Sequence, residues 1–331
     1  MSESPSTGVT RVCGNCQQVY GYKEKHVCPK GGAAEVPADP LIGATLGGRY
    51  LIESFLSSGG MGVVYRAKHS VLDKPLAIKL LREAQDPMMQ QRFLLEAKSA
   101  CHIGHENIVD ITDFGVLDDG RPYLVMEFLQ GPTLSHVLRS GRLSVFRACQ
   151  IARQIAEGLQ AVHDKDIVHR DLKPENIFLI RDGQKEFVKI VDFGIALAAP
   201  ALRMEKAETA LLATVKQGAA GAAKVTAGGG EEGAEADAQA RHTLPGTILG
   251  TPHYMSPEQA SGDTVDARCD QYALGCILYE MLTGQVPFDH PTNVMSIMFK
   301  HISEAVEPPA KRCPEAQIPE EVQAIVMRTL A

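Results

Sequence analysis

The sequence predicts an α+β fold of two unequal lobes, a small β-rich N-terminal lobe carrying one helix and a larger, mostly helical C-terminal lobe. Two patterns and a ratio support this. Short β-rich runs, RYLIESFL, GVVYRAKH, LAIKLL and YLVMEFL, lie between Leu46 and Phe128, with a single helical stretch, MMQQRFLLEAKSACHIG, among them. Beyond Thr133 the apolar spacing becomes three and four, as in VFRACQIARQIAEGLQAVHD. With 331 residues, 44% of them hydrophobic and 22% charged, the chain has apolar side chains enough for one large or two modest cores.

Residues 1–40 are polar and rich in Cys, Gly and Pro, and end in GGAAEVPADP; they are read as a small module followed by a flexible linker. The two lobes follow at 46–128 and 129–331. Inside the second, residues 200–241 are rich in Ala, Gly and Glu and almost free of aromatic and β-branched side chains. Such a stretch cannot offset its own ordering entropy, which predicts a disordered insert with at most a short helix near 202–214.

Charge and hydropathy exclude several classes. With 33 Lys plus Arg against 40 Asp plus Glu, the net charge of -7 argues against a protein that coats nucleic acid. No 18-residue apolar run occurs, and the N-terminal MSESPSTGVTRV has no apolar core, so a chain that neither spans a membrane nor is secreted is expected, in a reducing cytoplasm. Cys149, Cys269 and Cys276, scattered through apolar segments, are expected to be small core residues.

Three motifs carry chemistry. SSGGMGVVY, Ser57 to Tyr65, sits between two predicted strands, where glycines let backbone amides approach an anion. Alone, such a hairpin is more often a plain turn, and Ser57 stands where the pattern G-x-G-x-x-G-x-V has its first glycine, with Gly59 and Gly62 in the other two places. Lys79 in LAIKLL shares a strand face with Ala77 and Leu81; burial of that face demands an anionic partner, and Glu96 in the following helix is the available carboxylate. HRDLKPEN at 169–176 precedes a strand, an Asp182-Gly183 turn and FVKIVDFG. This order gathers Asp171, Lys173, Asn176 and Asp192 at one end of two strands. Oxygen donors from Asn176 and Asp192 suit a hard cation, beside a carboxylate able to orient a hydroxyl.

The ordered set of Gly-rich loop, AIK, helix Glu, HRDLKPEN, DFG, GTPHYMSPEQA at 250–260 and DQYALGCILYEMLTG at 270–284 resembles the eukaryotic-type Ser/Thr protein kinases, in particular their bacterial members, from about Tyr50 to Leu330. A second DFG, Asp113-Phe114-Gly115, precedes the catalytic loop; it is assigned to a strand of the N-terminal lobe and given no metal role.

The resemblance implies a protein-kinase-like two-lobed fold with ATP between the lobes. The adenine would lie against Val64 and Ala77 above and Phe178 below. Its edge would bond the backbone of Glu127 and Leu129, in front of Met126. Gly59 and Gly62 would cover the phosphates, and Lys79, paired to Glu96, would hold the first two of them. Asn176 and Asp192 would bind Mg2+, with Mn2+ as an alternative ion. Asp171 would take or orient the substrate proton and Lys173 would stabilise the transferring group. Lys173 and Thr251 are similar to the Ser/Thr branch, so protein hydroxyls are the implied acceptors. Arg170 is similar to arginines that bind a phosphorylated activation segment, with Thr243 and Thr247 as acceptors for autophosphorylation, which a homodimer would support. Asp270 would anchor the catalytic loop. Glu258 would pair with an arginine of a later helix, yet the chain stops at VMRTLA, so its C-terminal end is read as truncated. Family members often continue into a membrane span, which leaves attachment through such a region open.

The N-terminal Cys13-x-x-Cys16 and His26-x-Cys28 look like a zinc-ribbon or rubredoxin-like knuckle pair, since a 30-residue segment with so little core would need a metal to fold; a disordered tail with free thiols and a redox sensor are the alternatives. Two other classes compete: a catalytically dead scaffold, suggested by Ser57 and the truncated C-terminal end, and nucleic-acid binding by Lys23, Lys25, His26 and Lys30, which have few aromatics beside them for base stacking.

Overall fold

The computed structural model describes residues 10–13, 19–21, 35, 36, 39, 41–59, 62–81, 93, 103–192 and 252–331. Chain contacts divide the protein into residues 1–196 with 250–331 and residues 197–249, and every described residue lies in the first of these. The expected insert at 200–241, Glu96, Thr243, Thr247, Thr251, Cys16, His26 and Cys28 lie outside the described residues, and of Cys13 only the backbone is described.

Near the N-terminus, β1 (Thr10–Cys13) pairs antiparallel with β2 (Val19–Gly21) on one side and β3 (Glu35–Val36) on the other, with Cys13 opposite Glu35. Both β3 and Asp39 fall in the stretch read as a linker. The Asp39 carboxylate accepts a hydrogen bond from the Tyr65 hydroxyl and another, of 3.0 Å, from the Leu41 N–H. Leu41 and Ile42 pack on the core of the N-terminal lobe. The end of this stretch is therefore tied down by one carboxylate and two apolar side chains, which its Gly/Ala/Pro composition does not announce.

The main sheet contains β4 (Thr45–Leu46), β5 (Tyr50–Ser58), β6 (Gly62–His69), β7 (Pro75–Leu81), β8 (Ile111–Val116) and β9 (Pro122–Glu127). Their order is β4-β5-β6-β7-β9-β8, every pair antiparallel. Alternation divides β7. Leu76, Ile78 and Leu80 join the lobe's core with Tyr50, Ile52, Tyr65 and Val125. Ala77 belongs to a different apolar cluster and Leu81 packs on Phe93 and Leu124, so the face they share with Lys79 is also covered. Lys79 itself is only 7% exposed.

The C-terminal lobe has α1 (Leu134–Leu138), α2 (Val145–His163), the hairpin of β10 (Ile177–Asp182) and β11 (Lys185–Ile190), then α3 (Pro257–Ser261), α4 (Arg268–Thr283), α5 (Val294–Ser303), α6 (Pro309–Arg312) and α7 (Glu320–Thr329). Thr133 and Ser144 cap α1 and α2 through their hydroxyls, as the loss of N-terminal amide partners requires. Ile151, Ile155, Leu159 and Val162, one stripe of α2, share a core with Cys276, Ile277, Tyr279 and Met281 of α4. Cys269 and Cys276 are buried, as expected of small core residues, and Cys149 is half-buried. Gly183 turns the hairpin with φ of +58°, a region open to glycine at little cost. Among the described residues no helix is long and apolar enough to cross a membrane.

Candidate active site

The site forms where β7, the stretch after β9, the loop before β10 and the end of β11 converge. Ala77, Val109, Met126 and Val191 form a buried apolar cluster, and Val64, Ile111, Phe128, Leu129 and Phe178 pack against it. Val64 of β6, Ala77 of β7, Met126 of β9 and Phe178 of β10 are among the residues expected around an adenine, and Leu129 is expected there through its backbone; Val109, Ile111, Phe128 and Val191 join them without having been expected. At the hairpin between β5 and β6 the Gly59 N–H donates to Gly62 O at 2.9 Å. Gly62 has a packing reason to be glycine: a Cβ there would lie 2.3 Å from Leu80 O.

Lys79 Nζ lies 3.0 Å from Asp192 Oδ1. Burial works to raise the Asp192 carboxyl, but the Lys79 ammonium overrides it and holds the group below the usual carboxylate range. Asp192 has φ of +57°, a left-handed conformation uncommon for a non-glycine residue. The expected Lys79–Glu96 pair lies outside the described residues.

The catalytic loop is built from short contacts. Lys173 Nζ is 2.6 Å from Asp171 Oδ2. Asn176 Nδ2 donates to Asp171 O at 2.9 Å, which orients the amide and leaves Oδ1 as its acceptor end. Val191 N–H donates to Asn176 O at 2.9 Å, joining the loop to the residue between β11 and Asp192. Asp270, in the first turn of α4, accepts from His169 N–H and Arg170 N–H, each at 2.8 Å, and meets His163 Nε2 at 2.8 Å. Burial again pushes the Asp270 carboxyl up, and His163 with the two loop amides brings it below the usual range. Arg170 has φ of +66°.

Two features carry no signal in the sequence reading. His169 is fully buried, with Nδ1 accepting from Asp171 N–H at 3.3 Å and Nε2 facing Val191 O at 3.2 Å, so its ring spans the loop and β11. Glu127 Oε1 accepts from Lys189 Nζ at 2.6 Å and from Asp110 N–H at 2.9 Å, which ties the chain between the lobes to β11. The spacing of HRD to DFG could have suggested the first; nothing local points to the second.

The donors present fit the groups expected. Asn176 Oδ1 and the Asp192 carboxylate are hard oxygen donors suited to Mg2+. The apolar cluster between the lobes suits a flat heteroaromatic ring. Among the described residues no group of three or more His, Cys, Asp or Glu side chains is arranged to hold a metal ion.

The family model described as "Protein kinase domain" matches residues 50–213 and 233–331, so the unmatched residues 214–232 lie inside the Ala/Gly-rich stretch. The chain is 35% identical over 297 residues to the serine/threonine-protein kinase pkn3 of Myxococcus xanthus, covering 88% of this chain and 48% of that protein. It is 38% identical over 294 residues to PrkC of Bacillus subtilis, covering 88% of this chain and 38% of that kinase. With PknB of Mycolicibacterium smegmatis it shares 34% identity over 294 residues, 86% of this chain and 40% of the relative. The chain thus spans under half the length of these relatives. A β-rich lobe and a helical lobe meeting at Lys79, Asp171, Asn176 and Asp192, together with these matches, make the chain a member of the protein kinase family, in its bacterial, eukaryotic-like Ser/Thr branch.

Proposed function

We propose that the protein is an ATP-dependent serine/threonine protein kinase. The observation that carries this reading is the Lys79–Asp192 ion pair of 3.0 Å, which joins a strand of the N-terminal lobe to the end of β11 beside Asp171 and Lys173. A buried cation, two oxygen donors and a carboxylate then surround the place where a phosphoryl group would pass.

In this mechanism Val64, Ala77 and Phe178 hold the adenine, the backbone of Glu127 and Leu129 fixes its edge, and Lys79 binds the phosphates nearest the sugar. Asn176 and Asp192 would hold Mg2+, which neutralises phosphate charge when bound. Asp171 orients the substrate Ser or Thr hydroxyl and takes its proton. The hydroxyl oxygen bonds to the γ-phosphorus as the bond from that phosphorus to the β-phosphate oxygen breaks, and ADP leaves. Lys173, within reach of both Asp171 and the passing phosphoryl group, offsets its charge. Little covalent chemistry is asked of the protein, so positioning and electrostatics supply the rate.

A radiolabelled phosphotransfer assay with MgATP tests the reading. Wild type should label a protein substrate and Asp171→Asn should lose the signal by two or more orders of magnitude, on the order expected for a catalytic base; equal signals sink it.

Regulation follows the same charges. Arg170 is read as the receptor for a phosphate on Thr243 or Thr247, added by a second copy of the chain, and Thr251, like Lys173, is read as a mark of the Ser/Thr branch. Mass spectrometry of active enzyme after incubation with MgATP should find one of the two modified. The N-terminal Cys13, Cys16, His26 and Cys28 are read as zinc ligands; metal analysis of the full chain should give one Zn2+ per molecule, lost on Cys13→Ser. The cytoplasm, where ATP and reduced thiols coexist, is the compartment this reading requires.

A further inference from the structure

The residue before Asp171 holds a strained backbone. Arg170 lies at φ of +66°, a region that costs a non-glycine residue about 1–3 kcal/mol and persists only where the surroundings over-determine it. Its N–H is held by Asp270 Oδ1 at 2.8 Å. Its carbonyl is held from elsewhere: Gln259 Nε2, 89 residues further along the chain, donates to Arg170 O at 2.8 Å.

The Gln259 amide has no freedom to turn. Its Oε1 accepts from the Ser256 N–H at 3.0 Å, while Ser256 Oγ accepts from the Gln259 N–H at 3.4 Å, so the two residues close a capping box at the start of α3. Ser256 is fully buried. With Oε1 committed inside the helix cap, Nε2 points at the loop. One side chain therefore completes a helix and grips the peptide plane from which Asp171 projects.

We propose that Gln259 is a positioning residue for phosphoryl transfer: by holding the Arg170 carbonyl it sets the direction of the Asp171 carboxylate, and it makes that grip conditional on α3 being folded. Asp270 holds one side of the strained residue and Gln259 the other, so the loop needs both α4 and α3 in place. A carboxylate displaced by a fraction of an ångström from the acceptor hydroxyl loses turnover without losing nucleotide binding. The inference rests on the kinase reading above.

Two variants of the full chain separate the roles. Gln259→Glu keeps an oxygen for the Ser256 N–H, and so keeps the capping box, but puts an acceptor against the Arg170 carbonyl. Ser256→Ala removes the hydroxyl half of the box and keeps the Gln259 donor. Steady-state phosphotransfer and thermal unfolding are measured on both. Gln259→Glu should lower kcat tenfold or more, with KM for ATP within about twofold and Tm within about 2 °C of wild type; Ser256→Ala should lower Tm and keep kcat within about threefold. If wild type is active and Gln259→Glu keeps kcat within about twofold, the inference is wrong. Should Gln259→Glu lose Tm as well as kcat, Ser256→Ala decides: a matching loss of both overturns the positioning role, and a matching loss of Tm with kcat retained supports it. A wild-type chain with no phosphotransfer at all sinks the kinase reading and takes the inference with it.

Discussion

The chain spells Asp-Phe-Gly twice, at 113–115 and at 192–194, and its aspartates do different work. Asp113 sits within β8, beside a register irregularity against β9, and clasps the N-terminal lobe: its carboxylate accepts from the Tyr50 hydroxyl at 2.5 Å and meets Arg49 at 2.7 Å. Gly115 is there to make room, since a Cβ would lie 2.3 Å from the Tyr123 side chain. Asp192 follows β11 in a left-handed conformation and faces the buried Lys79. A tripeptide has no chemistry of its own. Backbone conformation aims the carboxylate, and the partner across the chain decides whether it fastens a sheet or serves a cleft.

The largest expected effect is the difference between Asp192→Asn and Asp113→Asn in an ADP-release assay. The first should lower kcat by about 10²–10³-fold or more, because it removes a charged ligand of the Mg2+ that would neutralise the reacting phosphate, while the second should stay within about twofold. Equal losses would end the distinction.

Lys79→Met comes next. It strips Asp192 of its cation, so the carboxyl should rise and kcat/KM for ATP should fall about a hundredfold, whereas Arg49→Met, which takes a cation from Asp113, should leave kcat/KM unchanged within about twofold.

The pH dependence of stability should separate the two aspartates from opposite ends. Burial first, and then the Asp113 hydrogen bond, push Tyr50 up to about 12 from its ordinary 10.0. A folded value above the unfolded one means a contribution fully present below pH 10 and lost as pH rises toward 12, worth about 1–2 kcal/mol after solvent screening. Asp192 and Asp270 run the other way, held low in the fold, so their contribution is whole above about pH 4 and is lost as pH falls through their depressed values. Urea denaturation across pH should show both limbs, and Asp113→Asn should reduce only the alkaline one, by the part of the Tyr50 shift that burial does not supply. Gly115→Ala, which acts on stability alone, should cost about 1–3 kcal/mol through the Tyr123 contact and leave KM for ATP unchanged.

Much of this was legible beforehand, for a reason that particular residues make plain. Asp171, Lys173 and Asn176 lie within six positions, so one loop must bring them together whatever the rest of the chain does. The alternation in LAIKLL likewise put Lys79 on a face with Ala77 and Leu81, and the burial of all three follows from a strand covered on both sides. Composition at the end of the linker gives no sign of the bond that Asp39 accepts from the Tyr65 hydroxyl across 26 residues.

By itself the sequence determined the two lobes, through its change of apolar period from two to three and four, and the cluster of charged residues at the cleft, through short spacings. Only the tertiary structure decided which further groups hold that cluster in shape: His163 on the Asp270 carboxylate, Lys189 on Glu127, Gln259 on the Arg170 carbonyl. Those partners stand 107, 62 and 89 residues apart. Local periodicity carries no information across such separations, and the meeting of these groups is set by how helices and strands pack, which is fixed by the whole core at once.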